Sequence, residues 1–489
     1  MSQDEWMGDL HFWRTTYRVQ DAVAGNNCDS VSWGRAPAWK EISVIRMRTQ
    51  EPSAELISAM EALWKLPEAA WKGLTALPLY SSLLDALEHE CADVRRFGGS
   101  LYVLRALASL GLPCGLHASR KHMAIPATVA ARKLTAAMHA TSFTRVHLLP
   151  LDMADTLPTV QFGNALVGRL TAQQLRQFVD LDRMERIHPG YAFDLSEFSQ
   201  FHWMVVQEEV PIARGPDGRE LFRLRVNMQK DYGRIEPHRG MYPEAVETAL
   251  FWLALAPWED LTDYPDIDWR GMQIPWMYTV DHDLFSIMKQ PPSPDSLSWE
   301  DWVVQDQYGN PLEVVRPAAM CLSDESGNAI GEHFHSKLEA ISNLQCFQLF
   351  KTPVVHFFTR AFLTRGIDEF MAHMLAIEAA LGLPEDRKCK SSTGERTHGR
   401  RTATDRVSAR LSVVLGPSAA AEYREFFDLR SEFIHGRSME AISGHQRIGA
   451  RALARRLVDA LLTVNQDDPT LERGAFLDGL LDRGVLLGS

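Results

Sequence analysis

The chain has 489 residues, of which 45% are hydrophobic and 23% are charged, and its formal net charge is −12. This composition excludes a disordered or fibrous chain and predicts a globular protein of roughly two to four domains. The 6 cysteines are scattered without Cys-x-x-Cys spacing, which predicts neither a disulfide framework nor a zinc knuckle.

The N-terminal segment and the most apolar window predict the cellular compartment. The segment MSQDEWMGDLHFW has no basic region followed by an apolar run, so it does not have the pattern of a signal peptide. Residues 249–258 form the most apolar window, which is too short to span a bilayer and predicts a buried helix. We therefore expect a cytoplasmic protein with no membrane partner.

Residues 1–140 predict a mixed α/β region of unknown role. Residues 41–48 alternate apolar and polar side chains, as a half-buried strand does. Four later segments have helical periodicity, and the last of them has a proline in its first turn. These predicted helices are 52–66, 79–90, 100–112 and 126–140.

Residues 141–335 predict an α+β region, which we interpret as a sensor or regulatory domain. Residues 144–151 and 201–212 are typical of strands, and the turn signal at 215–218 lies between two strand-like runs. A hairpin is expected at 301–315, around Tyr-Gly-Asn-Pro. The predicted helices are 170–184 and 242–256, and the proline-rich segment 291–296 is a predicted loop.

Residues 336–489 predict an all-α bundle. All 13 tryptophans lie at or before Trp302, which indicates a domain boundary between there and about residue 355. From Lys351 onward there are 20 lysines and arginines against 18 aspartates and glutamates, so the acidic excess belongs to the front of the chain. The predicted helices are 356–382, 402–416, 417–436 and 444–464.

The motif LRSEFIHG, at residues 429–436, contains the candidate catalytic residues Arg430 and His435. Arginine holds a phosphate through a permanently charged fork, and histidine transfers protons near neutral pH. Together they favour metal-free cleavage of an RNA phosphodiester. Roughly one Arg-x4-His pair is expected by chance in a chain this long, so the surrounding sequence must carry the argument.

That surrounding sequence is a series of helices in a specific order. The run AIEAALG closes a long helix, DRVSARLSVVLG follows as a short one, and YREFFDLRSEFIHG carries the motif. In order, spacing and local sequence, this C-terminal quarter of the chain resembles HEPN domains. It is most similar to the ApeA-like branch, whose signature is LRSxxxHG.

The resemblance implies a metal-independent endoribonuclease that needs no cofactor. HEPN nucleases usually dimerise, so that two such motifs face each other and form one composite site. For this chain, the site would consist of Arg430 and His435 from each protomer of a homodimer. The implied reaction is transesterification by the RNA 2′-hydroxyl, which excludes DNA as a substrate.

Helix geometry and neighbouring residues complete this expectation. Five residues turn an ideal helix by about 140°, so a helix break or a second protomer must bring Arg430 and His435 together. Ser431 follows the arginine where the family commonly has Asn, Asp or His. Further residues that could orient or neutralise the pair are Asp428, Glu432 and Glu378.

Two groups of basic residues are candidates for RNA binding, because clustered cations on an acidic protein fit a phosphate-tracking surface. The alternatives are a solvated loop and an ordinary surface helix face. The first group is Arg387, Lys388, Lys390, Arg396, Arg400 and Arg401, with His398, Arg406 and Arg410 nearby. The second group, spaced as one stripe on the last predicted helix, is Arg447, Arg451 and Arg455.

Two short patterns place metal-ligand residue types at alternate positions. They are Asp281-His282-Asp283 and His333-Phe334-His335. Neither has a convincing third ligand in the sequence, so we predict no metal site.

The preferred hypothesis is a regulated anti-phage or toxin effector that cleaves tRNA or another cellular RNA. The front region would respond to a phage-derived or cellular trigger and restrain the nuclease, as the resemblance to ApeA-like proteins implies. The alternative is a non-catalytic adaptor, whose HEPN bundle dimerises and whose front region binds a protein or ligand. A third hypothesis is a toxin that is paired with a separate antitoxin.

Overall fold

The computed structural model describes residues 51–487, apart from 90, 92–93, 96–97, 155–156, 192, 216–217, 222–241, 259–269, 307, 321–323, 343–346 and 437–440. The predicted strand at 41–48 lies outside the described residues. The described α-helices are α1 (Ala54–Trp64), α2 (Pro78–Glu88), α3 (Gly99–Leu110), α4 (Ala127–His139), α5 (Ala172–Phe178), α6 (Leu181–Ile187), α7 (Leu195–Phe198), α8 (Glu244–Ala254), α9 (Asp324–Ser342), α10 (Val354–Leu363), α11 (Ile367–Leu381), α12 (Ala403–Leu415), α13 (Pro417–Ile434), α14 (Gly444–Asp467) and α15 (Arg473–Leu487).

The described strands form one antiparallel sheet and three small pairs. The five-stranded sheet has the order β3-β4-β5-β1-β8, and β9 pairs with β10, β6 with β7, and β11 with β2. The described strands are β1 (Ser142–Leu151), β2 (Met153–Ala154), β3 (Val160–Phe162), β4 (Ala165–Arg169), β5 (His202–Pro211), β6 (Arg214–Gly215), β7 (Gly218–Arg219), β8 (Tyr278–Asp281), β9 (Trp299–Gln305), β10 (Pro311–Pro317) and β11 (Ala319–Met320).

Both faces of the five-stranded sheet are covered by apolar side chains. Along β1, Leu148 and Leu149 point to opposite faces, because successive side chains of a strand alternate. The face of Leu148 packs with α5, α6 and α7, and the face of Leu149 packs with α8. The predicted strands at 144–151 and 201–212 are therefore confirmed as the centre of an α+β region.

The described part of residues 51–140 is helical. Helices α1, α2, α3 and α4 pack around a separate apolar core that includes Leu63, Leu83 and Leu134. Helix α1 begins where the sequence predicts, because the hydroxyl of Ser53 accepts a hydrogen bond from the backbone N–H of Leu56. All four predicted helices of this region are present.

Helix α8 lies between the sheet and the C-terminal helices. Trp252 stacks on Phe162 of β3 and on Phe334 of α9, with ring centroids 4.1 and 3.7 Å apart. Phe251 contacts Phe358 of α10 at 5.6 Å. From Ala249 to Ala254 every residue of α8 is apolar and buried, so the predicted buried helix is confirmed.

Two predicted helices are each broken into two. The helix predicted at 170–184 is α5 and α6, because Asp180 between them has the left-handed backbone angle φ +47°. The helix predicted at 356–382 is α10 and α11, separated at Gly366, where φ is +63°. Glycine adopts this conformation without the steric cost that other residues bear.

The C-terminal part is largely helical, as expected, and it includes two helices that the sequence reading missed. These are α9 and α15. The predicted boundary at residue 335 falls inside α9, and one apolar core runs from Met204 of the sheet to Leu457 of α14. The division into 1–140, 141–335 and 336–489 stays a prediction.

The predicted hairpin at 301–315 is present, and a short strand pair surrounds the turn predicted at 215–218. Strands β9 and β10 pair from Trp299 with Pro317 to Gln305 with Pro311. Strands β6 and β7 flank the other turn, whose two central residues lie outside the described part. Among the described helices, none is long and apolar enough to cross a membrane.

The packing of α15 on α12 can be tested by adding one methyl group. A Cβ at Gly484 would lie 2.0 Å from the carbonyl oxygen of Ala409 on α12, whereas one at Gly479, also on α15, would meet nothing within 4 Å. We expect Gly484→Ala to lower the free energy of unfolding by about 1–3 kcal/mol, because α15 must move outward. Gly479→Ala should be neutral or stabilise by about 0.5–1 kcal/mol, because alanine favours helix. Equal effects in urea unfolding would contradict this packing.

Candidate active site and basic surface

Helix α13 carries the motif and runs without a break to its end. Proline occupies its first turn at Pro417, where no backbone donor is needed. At the other end, the backbone N–H of His435 donates to the carbonyl of Ser431 at 3.0 Å, so His435 caps the helix. Gly436 then takes φ +61° and ends it. No break therefore brings Arg430 and His435 together.

Arg430 is paired with Glu378 of α11. Arg430 Nη1 donates to Glu378 Oε1 at 2.8 Å, and the two side chains are only 19% and 28% exposed. The guanidinium also lies 5.9 Å from the ring centre of Phe427, one turn earlier on α13. Glu378, a predicted supporting residue, is thus in direct contact with the candidate catalytic arginine.

Tyr423 is buried close to this ion pair, and it was not among the residues predicted from the sequence. It is seven residues before Arg430, which is the spacing of one helix face, and it is fully buried. Burial raises the pKa of Tyr423, and the negative charge of Glu378 raises it further. Burial also raises the pKa of Glu378, an effect that the charge of Arg430 opposes. The phenol of Tyr423 is therefore neutral, and it lies close to the partly desolvated pair of Arg430 and Glu378.

His435 is exposed at the end of α13, apart from that pair. Phe433 and Ile434 beside it are also exposed, which is unusual for large apolar side chains in succession. Of the other predicted supporting residues, Ser431 is half-buried, whereas Asp428 and Glu432 are exposed. One chain therefore brings Arg430 and Glu378 together and leaves His435 facing outward.

The first basic group forms an ordered loop between α11 and α12. A backbone bridge joins Lys390 and Arg396. The loop is attached to α15, since the hydroxyl and the backbone N–H of Ser392 each donate to Asp478 at 2.7 Å. Arg401 is half-buried, and the exposed members of the group are Arg387, Lys388, Lys390, Arg396 and Arg400.

Arg406 and Arg410 belong to the interior and not to this surface, which corrects the expectation from sequence. Both are fully buried on α12. Two nitrogens of Arg410 donate to the carboxylate of Asp386, at 2.6 and 2.9 Å. The same guanidinium also donates to the carbonyls of Leu381 and Leu477. One guanidinium thus ties together the end of α11, the basic loop and α15.

The second basic group also faces inward. Arg451 is buried on α14, and its guanidinium donates to Glu369 of α11 at 2.8 and 3.1 Å. Burial lowers the pKa of Arg455 to about 10, and Arg447 is half-buried. The predicted RNA-binding stripe of Arg447, Arg451 and Arg455 is therefore wrong as an exposed face, because Arg451 is buried against α11 and the other two arginines are only partly accessible.

The alternating acids and histidines do not form a metal site. Arg145 holds Asp281 with two nitrogens, at 2.6 and 3.1 Å, and Arg219 donates to Asp283 at 2.6 Å. These carboxylates are therefore already neutralised by arginines. Within the described ranges, no group of three or more His, Cys, Asp or Glu side chains could hold a metal ion.

No family model, no curated protein and no solved structure matches the chain. The geometry of the site and the motif resemblance are therefore the basis for any functional proposal.

The buried pair of Asp386 and Arg410 should be essential for the helices that position the site. We expect Asp386→Asn to lower the free energy of unfolding by about 3–5 kcal/mol, because Arg410 would keep its charge without a carboxylate. The matched control is Asp182→Asn, which removes an exposed partner of Arg176 and should cost less than about 1 kcal/mol. Comparable losses in urea unfolding would contradict the structural role of Asp386.

Proposed function

We propose that this chain is a metal-independent endoribonuclease of HEPN type whose active site is shared by two copies. The proposal is supported by the resemblance of residues 429–436 and the helices around them to the ApeA-like branch. The largely helical C-terminal part is compatible with such a bundle.

The unbroken path of α13 is the observation that carries the two-copy arrangement. Arg430 and His435 diverge by about 140° around this helix, so they do not converge on one phosphate within a chain. A second copy placed against the end of α13 supplies the missing group. The exposed Phe433 and Ile434 beside His435 favour such a contact, since burial of apolar surface drives association.

The proposed chemistry is a transfer of the phosphodiester from the 5′-oxygen to the 2′-oxygen. His435 of one copy takes the proton of the 2′-hydroxyl as its oxygen bonds to phosphorus, and the protonated His435 of the other copy gives a proton to the 5′-oxygen as its bond to phosphorus breaks. Arg430 stabilises the charge that develops on the phosphoryl oxygens. His435 is suited to the first task because its exposure leaves the imidazole open to RNA.

Glu378 and Tyr423 have positioning roles in this proposal. Glu378 holds Arg430 in one orientation, which lowers the entropy that must be lost when a phosphate binds. The buried phenol of Tyr423 keeps water from the inner side of the pair. A phosphate that arrives at Arg430 competes with Glu378, so binding of RNA would loosen the ion pair.

The basic loop is the proposed path for the RNA backbone. Its five exposed cations are held in place by the bonds of Ser392 to Asp478 and by a 2.7 Å contact of His398 with Asp482. Contacts of this kind carry no sequence information, and their strength falls as the salt concentration rises.

We also propose that the front region regulates the nuclease, as an anti-phage or toxin effector would require. The supporting observation is the continuity of the core through α8, together with Arg270, which donates to the carbonyls of Phe362 and Thr364 on the bundle side. A trigger that moves the front region could therefore change the bundle.

The adaptor hypothesis has one specific observation in its favour. Arg430 already has a carboxylate partner, as a purely structural arginine would have. The two functions differ in what His435 does, since the enzyme needs its imidazole to transfer a proton and the adaptor needs no reactive group there.

We expect Arg430→Ala and His435→Ala each to reduce RNA cleavage by at least about a hundredfold, because each removes a group that acts in the transition state. Cleavage of a mixed RNA pool by purified full-length protein, in the presence of a chelator, measures the effect. The products should carry 2′,3′-cyclic phosphates, and the same sequence as DNA should stay intact.

The controls separate chemistry from folding. Arg424→Ala removes a more exposed arginine of α13 that pairs with Asp405, and His335→Ala removes an exposed histidine of α9. Both should leave cleavage within about twofold, since neither contacts the proposed site. If the wild type, His435→Ala and both controls show the same cleavage, the enzyme proposal fails and the adaptor function is favoured.

A further inference from the structure

The hairpin of β9 and β10 has exposed apolar side chains on both of its faces. Within the described part of the chain, these two strands pair only with each other. Isolated two-stranded hairpins are marginal in water, so their stability needs other contacts. The exposed apolar residues of the hairpin are Trp302, Val303, Tyr308, Leu312 and Val315.

The hairpin is nevertheless well formed. At its base, Trp299 packs edge-on against Phe201, with ring centroids 4.9 Å apart. At its tip, the carboxylate of Asp306 accepts hydrogen bonds from the backbone N–H groups of Tyr308 and Asn310, both at 2.8 Å. A surface that is ordered before binding loses less entropy when a partner arrives.

The two faces of the hairpin differ in charge. On one face, Arg316 lies 3.4 Å from the ring centre of Trp302 and bonds Glu300 at 2.8 Å, so that face is internally neutralised. On the other face, Asp301 lies opposite Val315, and Glu313 lies opposite Val303. Both valines are 61% exposed. This second face is called the acidic face below.

Within the part of the chain that the structure describes, no cation neutralises the carboxylates of the acidic face. Neither Asp301 nor Glu313 forms an ion pair among the described residues, and both are exposed. Exposed valines that alternate with unneutralised carboxylates are complementary to a chain that alternates apolar and basic side chains.

The edges of the hairpin differ in their capacity to accept another strand. Strand β10 begins with Pro311 and ends with Pro317, and proline has no N–H to donate. Strand β9, Trp299–Gln305, contains no proline. The outer edge of β9 can therefore form main-chain hydrogen bonds with an added strand, whereas the edge of β10 is blocked at both ends.

We infer that β9 is a docking edge for an extended, basic and apolar segment of a partner protein, which adds as a third strand. The acidic face disfavours three other partners at this edge: a second copy of the chain, RNA and an anionic lipid surface. A second copy would bring like charges together, and RNA or an anionic lipid surface would be repelled. This inference goes beyond the proposed nuclease activity and does not depend on it.

The test uses a labelled seven-residue peptide of alternating lysine and valine, which matches the length of β9. We expect the fluorescence anisotropy of this peptide to rise when the peptide binds the full-length protein. A version with proline at the central position should bind at least about tenfold more weakly, because it lacks a main-chain donor. A glutamate–valine version should be weaker by a similar factor.

A charge-reversed variant makes the test independent of folding defects. The double variant Asp301→Lys and Glu313→Lys should no longer bind the lysine–valine peptide and should bind the glutamate–valine peptide instead. Such an exchange is possible only if the hairpin is still folded. The inference is overturned if the lysine peptide does not bind, if the proline peptide binds equally well, or if the variant keeps its preference. It is also overturned if the variant changes the oligomeric state, because a second copy would then cover the hairpin.

Discussion

The requirement that buried arginines keep their charge fixes the arrangement of the C-terminal helices. A guanidinium cannot release its proton in a protein, so each buried one needs a carboxylate or carbonyl partner. Arg451 meets Glu369 in the first turn of α11, and Arg410 meets Asp386 just beyond its last turn. Helix α11 is therefore held at both ends, and Glu378 between them has a defined position.

The candidate site follows from this constraint. With α11 fixed, Glu378 directs Arg430, and Tyr423 is buried close enough for the charges of both residues to act on its pKa. His435 is outside that framework because α13 runs straight to its exposed end. The same framework holds the basic loop against α15, so the backbone that carries the exposed cations has a fixed position.

The sequence predicted elements far better than it predicted surfaces. Periodicity located most helices and the two central strands, because burial of one face is visible in the spacing of apolar residues. Turn residues located the hairpin at 301–315. Positive-φ residues such as Gly366 and Asp180 broke two of those helices, and periodicity does not register backbone conformation. Spacing also could not show that Arg406, Arg410 and Arg451 face inward, since their partners Asp386 and Glu369 are distant in sequence. Tyr423 could have been found, because it lies two turns before Arg430 on the same face.

The dependence of specific RNase activity on protein concentration tests the shared site most directly. If the site needs two copies, activity per protein molecule should rise with concentration and reach a plateau where sedimentation shows a dimer. Dilution below that range should abolish the RNase activity, and concentrating the protein again should restore it. Constant specific activity in a range where the protein sediments as a monomer would contradict the account, because one α13 helix would then suffice for cleavage.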